Sequence, residues 1–99
     1  MNLLVPTAAT LEKYGLTVEA WQQIADRQGR VCAVCRKIPA SGRLCVDHRH
    51  VAKYKTLPPA ERASHVRGLV CYQDNHALLR RGMTPERLRS AADYLERTT

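Results

Sequence analysis

Apolar residues recur at helical spacing in two stretches of the chain. In the first, Trp21, Ile24 and Ala25 share one face with Gln28. Thr17 precedes them as an N-cap, Glu19 lies in the first turn and Gly29 closes the helix. In the second, Thr84 caps, Pro85 takes the first helical position, and Leu88, Ala91, Ala92 and Leu95 form an apolar stripe. That stripe either covers the core or pairs two chains as a homodimer. The pattern between the helices is different. Residues 44–48 and 66–71 read as short strands, and Pro39 and Gly42 make 38–43 a loop. Leu57-Pro58-Pro59-Ala60-Glu61-Arg62 predicts a short helix opened by proline inside a long loop. A brief helix follows Asp74 and stops near Gly82. Residues 1–10 carry little pattern and read as a loose N-terminal arm, which leaves 11–99 as one domain of α+β class.

Composition narrows the partners. Sixteen Lys and Arg against nine Asp and Glu give a net charge of +7, which favours a polyanion, nucleic acid before a membrane surface. Arg27, Arg30, Arg36, Lys37, Arg43 and Arg49 crowd the middle of the chain, and Arg80, Arg81, Arg87, Arg89 and Arg97 its last third. No recognition helix with base-reading side chains stands out, so backbone contacts are expected to dominate. Leu3-Leu4-Val5 is broken by Pro6, and no signal or membrane-spanning segment is visible. A cytoplasmic location is therefore expected, where four cysteines suggest metal ligands rather than disulfides. A domain of 99 residues buries a modest core and gains from such a metal.

Cys32 and Cys35 have the two-residue spacing with which one tight turn presents two thiolates to zinc. The second pair is incomplete, because Cys71 is followed three residues later by Asp74 rather than Cys. A carboxylate oxygen also ligates zinc, so Cys32, Cys35, Cys71 and Asp74 form the first candidate site, with His76 and Cys45 competing for the fourth place. The plain alternative is that the cysteines pack as small apolar residues.

Cys45-Val46-Asp47-His48-Arg49-His50 sits between the cysteine turns. Asp47 supplies a hard oxygen for Mg²⁺ or Mn²⁺, His48 accepts a proton near neutral pH, and His50 can reach phosphate or metal. Asn75 offers an amide oxygen to the same ion. In an extended strand Asp47 and His48 point to opposite faces, so a bend or bulge is needed to aim both at one substrate.

The order of these pieces, Cys-x-x-Cys, Cys-Val-Asp-His-Arg-His and Val-Arg-Gly-Leu-Val-Cys-x-x-x-Asn, resembles the phage recombination endonuclease VII-like group of HNH nucleases. Lys13-Tyr14-Gly15-Leu16-Thr17, Gln28-Gly29-x-Val31-Cys32, Pro58-Pro59-x-Glu61-Arg62 and Ala92-Asp93-Tyr94-Leu95 add to the resemblance, which runs from about residue 11 to residue 97. It implies a zinc-stabilised ββα-metal core with flanking N- and C-terminal helices. It also implies a catalytic Mg²⁺ or Mn²⁺ held by Asp47 and Asn75, with His48 as general base and His50 assisting. Structural zinc would lie on Cys32, Cys35 and Cys71. Arg67, with Arg49, Arg80 and Arg81, would face the DNA backbone, and the origin would be a phage or prophage. The family's fourth zinc cysteine is Asp74 here, and Leu78 and Cys45 stand where acidic and histidine residues occur in the family.

Two function classes follow. The first is a metal-dependent DNA endonuclease that nicks or cuts both strands, branched DNA included. The second is a catalytically silent zinc module for DNA binding or complex assembly, which needs neither His48 nor Asn75. A purely structural protein leaves the charge and the histidine pair unexplained.

Overall fold

A computed structural model describes residues 3–98 of the chain; the first two residues and Thr99 lie outside the described residues. The described residues form an α+β fold with five α-helices and one two-stranded sheet. Helix α1 (Ala8–Lys13) and α2 (Val18–Arg27) precede β1 (Cys45–His48). A 3-10 turn (Tyr54–Thr56) and α3 (Pro59–Ser64) lie between β1 and β2 (Val66–Val70). Helices α4 (Tyr72–Ala77) and α5 (Pro85–Thr98) follow. None of the described helices is long and apolar enough to cross a membrane.

Local chemistry accounts for most of these elements. The Thr17 hydroxyl accepts the Ala20 N–H at 3.0 Å and starts α2, and Gly29 leaves it at φ +71°. Proline opens α3, and the Thr84 hydroxyl accepts the Arg87 N–H at 3.1 Å before α5. Helix α4 begins earlier than the expected position after Asp74, because the Cys71 sulfur caps it by accepting the Asp74 N–H at 3.4 Å, and it ends at Ala77 rather than near Gly82.

The loose arm expected over residues 1–10 is corrected from Leu3 onward. Leu3 is buried in the core, the Leu4 N–H donates to the Gly42 carbonyl at 2.8 Å, and the Thr7 hydroxyl caps α1. The core joins α2 to the sheet: Trp21 and Ala25 are fully buried with Leu69, Val70, Val46 and Leu44. Gln28, at the end of α2, accepts the Leu69 N–H on its side-chain oxygen, while its amide nitrogen donates to the Leu69 and Val31 carbonyls. These bonds pin the helix to one edge of β2. By contrast, α5 has no buried residue, so its apolar stripe does not cover the core.

Gly15 carries a sharp local constraint. Its φ is +67°, and a Cβ there would overlap the Pro59 carbonyl oxygen at the start of α3. Gly82 has a similar φ of +88° but nothing within 4 Å. Gly15→Ala should therefore cost about 2 kcal/mol or more, against about 1 kcal/mol for Gly82→Ala, which meets only the backbone penalty. Urea unfolding midpoints measure both. Equal losses would mean that the α1–α3 approach relaxes freely.

Candidate functional site

Strands β1 and β2 pair antiparallel, with Cys45 opposite Val70, Val46 opposite Leu69, Asp47 opposite Gly68 and His48 opposite Val66. Arg67 is thus an extra residue on β2, a bulge facing the Asp47–His48 step. In a regular ladder Arg67 would point away from the face that Asp47 shares with Gly68. The bulge re-aims it. Arg67 Nε donates to Asp47 Oδ2 at 2.8 Å and a terminal nitrogen donates to Oδ1 at 2.9 Å, a two-pronged pair on a side chain that is 7% exposed.

His48 is held from two sides. Its ring stacks on buried Tyr54 at 4.0 Å between centroids and 10° between planes, and its Nδ1 lies 2.9 Å from the Arg49 carbonyl oxygen. A carbonyl only accepts, so in the neutral ring Nδ1 carries the hydrogen and Nε2 keeps its lone pair. Tyr54 is fixed in turn, its hydroxyl donating to the Arg62 carbonyl at 2.8 Å. The Arg62 guanidinium donates to the Glu12 carbonyl at 3.0 Å and to the Leu57 carbonyl, which binds the loop carrying Tyr54 to α1. Sequence pattern marks neither Tyr54 nor this Arg62 anchor as part of the site. Tyr54 lies in a polar loop with no periodicity, and only its partners give it a role.

His50 meets the His48 ring edge-on at 5.5 Å. Desolvation and the positive neighbours His48, Arg67 and Arg81 push its imidazole below the ordinary value, against the opposing pull of Asp47. The shift favours the uncharged ring. Beside it opens a cleft of about 350 Å³ whose walls include Arg49, His50, Arg67, Arg80 and Arg81. The structure thus gathers Asp47, His48, His50 and the four arginines expected to face DNA. Asn75 lies on α4 and lines a second cleft of about 610 Å³, beside Cys45 and Val46 of β1 and with Tyr72 and His76. The basic cleft does not include it.

The cysteine cluster forms a separate centre. Ligand atoms of Cys32, Cys35, Cys71 and Asp74 all lie within 4.8 Å of one another. A tetrahedral zinc with Zn–S bonds of about 2.3 Å sets its ligands about 3.8 Å apart, so the donor set and its spacing fit such an ion. Asp74 completes the cluster, whereas its sequence competitors Cys45 and His76 line the second cleft. Cys32 is fully buried, and its sulfur accepts N–H groups from Cys71 at 3.2 Å and Val34 at 3.4 Å. Burial disfavours its thiolate, but N–H donors from Cys71, Cys35 and Val34 prevail and lower its pKa. The Cys71 thiol is pushed up to about 11 by burial, with the Asp74 and Cys32 side chains adding to it and the Asp74 N–H opposing. A divalent cation would relieve that crowding of negative charge.

Residues 7–97 match the family model described as recombination endonuclease VII. Among curated proteins and among solved structures, none matches the chain.

Proposed function

The chain belongs to the recombination endonuclease VII family, which makes it a nuclease, and from that premise we propose that it hydrolyses DNA phosphodiester bonds at the β1–β2 bulge. The observation that carries this reading is the convergence of Asp47, a tautomer-fixed His48 and His50 beside an arginine-lined cleft. In this reading β1, β2 and α4 form the ββα core of an HNH nuclease.

The His48 Nε2 lone pair takes a proton from the attacking water, and the Arg49 carbonyl and Tyr54 keep the ring in that orientation. Arg49, Arg80 and Arg81 bind the DNA backbone, and His50 contacts the scissile phosphate. Asp47 and Asn75 hold a Mg²⁺ or Mn²⁺ ion; they supply hard carboxylate and amide oxygens from neighbouring elements, since α4 packs against β1. When bound, that ion supplies positive charge to the leaving oxygen. Cys32, Cys35, Cys71 and Asp74 hold structural zinc.

Incubation with supercoiled plasmid and with a four-way junction, in Mg²⁺ or Mn²⁺ and with an EDTA control, tests the reading. Metal-dependent cleavage is expected. A folded, zinc-loaded protein that cuts neither substrate would sink it. The catalytically silent DNA-binding module would then stand, favoured by the fact that Arg67 occupies both Asp47 oxygens.

Binding in the arginine cleft carries its own expected result. Each phosphate contact contributes about 0.9 to the slope of log affinity against log salt. Arg80→Ala and Arg81→Ala should each lower that slope by about one contact, with little change between DNA sequences. Unchanged slopes in both variants would move the DNA to another face.

A further inference from the structure

Arg67 belongs to two sites at once. Its guanidinium holds the buried Asp47 carboxylate through both oxygens, and its side chain, 39% exposed, forms part of the arginine cleft. Among the described residues, it is the cleft arginine whose ion pair is with a carboxylate. The same planar fork that grips a carboxylate also grips a phosphate. A buried carboxylate needs a cationic partner, and either a guanidinium or a divalent ion serves. A guanidinium bonded to both oxygens competes with an ion for their lone pairs and adds a like charge beside it.

Resting on the reading of Asp47 as a metal ligand, we propose that Arg67 is a positioning residue that couples DNA binding to metal capture. Without DNA it occupies Asp47; a phosphate in the cleft draws it off and frees the carboxylate for the divalent ion. Arg49, Arg80, Arg81 and His50 bring the phosphate to the same cleft. Arg67 can change partners because the bulge places it at the boundary between the buried carboxylate and the open cleft. By linkage, the ion then strengthens DNA binding by the factor with which DNA strengthens ion binding. The ion is consequently taken up where a phosphate is present to be cut.

Mn²⁺ binding to the zinc-loaded protein, followed by the EPR signal of free Mn²⁺, tests this without reading turnover. The measurements use a His48→Ala background to suppress cleavage. Saturating duplex should tighten Mn²⁺ binding by about tenfold, within the usual range of coupling between sites. Arg67→Gln should bind Mn²⁺ about tenfold more tightly with no DNA present, because nothing then competes for Asp47. Arg67→Lys keeps the charge but cannot bridge both oxygens, and should fall between the two. It replaces the glutamine variant if that variant fails to retain zinc. Unchanged or weaker Mn²⁺ binding in the Arg67 variants, together with its loss in Asp47→Asn, overturns the coupling and leaves Asp47 as the metal ligand. Unchanged binding in Asp47→Asn as well overturns the metal reading and the coupling with it.

Discussion

With zinc held as proposed on Cys32, Cys35, Cys71 and Asp74, removing the ion or replacing Cys32 with serine should unfold the protein. The chain has little else of comparable strength. Its largest fully buried side chains are Trp21, Leu69 and Cys32 itself, so one of the three belongs to the cluster proposed to hold zinc. Cys32 also organises its surroundings: its sulfur accepts N–H groups from Val34 and Cys71, and the adjacent Ala33 N–H donates to Leu69 of β2 at 3.0 Å. The metal centre thus joins the cysteine turn, the end of the sheet and the start of α4. Structural zinc contributes about 10–16 kcal/mol in small zinc-dependent peptides, while whole domains are stable by only about 5–15 kcal/mol. Loss of the ion is therefore sufficient to abolish the fold. Native mass spectrometry should find one zinc per chain, and a strong chelator should remove the cooperative thermal transition seen by circular dichroism. Asp74→Ala should lose zinc at a lower chelator concentration than the parent, and Asp74→Cys should hold it more firmly. A metal-free chain that melts like the parent would return the cysteines to simple apolar packing.

His48→Ala should lower the rate of DNA cleavage by about 10²–10⁴-fold, the usual contribution of a positioned general base. Zinc content and DNA affinity should stay near those of the parent, because His48 is no part of the cysteine cluster and does not itself line the arginine cleft, touching it only through the Arg49 carbonyl and the His50 ring. Tyr54 sharpens the test. Tyr54→Phe preserves the 4.0 Å stack and loses only the hydroxyl bond to Arg62, so cleavage should fall little. Tyr54→Ala removes the surface against which the imidazole rests and should cost more. Single-turnover cleavage rates, compared with fluorescence-anisotropy binding curves, separate these outcomes. Full cleavage by His48→Ala would reassign the base, with His50, whose ring lies 5.5 Å from that of His48, next in line.

Much of this molecule is legible in its order of residues. Thr17 and Thr84 mark the starts of α2 and α5 because helix capping is local chemistry, satisfied within three residues. The prolines of α3 and the Cys32–Cys35 spacing are readable for the same reason. The conflict between Asp47 and His48 on a straight strand is also legible, and with it the need for a bulge. Local pattern does not say that the extra residue is Arg67, because the pairing of residues 20 apart in the chain decides it. Helix α1 escapes the pattern: six residues show no full apolar period, and only the burial of Leu3 and Leu11 identifies that segment as part of the core. The choice among Asp74, His76 and Cys45 stays open in the sequence because all three carry metal-binding groups, and the path of α4 turns only Asp74 toward the thiolates. The amino-acid sequence by itself thus determined the starts of α2, α3 and α5, the strand pair, the candidate metal ligands and the positive charge, all governed by neighbours close in the chain. The tertiary structure alone decided that Arg67 holds Asp47, that Tyr54 lies beneath His48 and that no described residue of α5 is buried. Those are contacts between distant segments, and burial and strand register select them only once the chain has closed on itself.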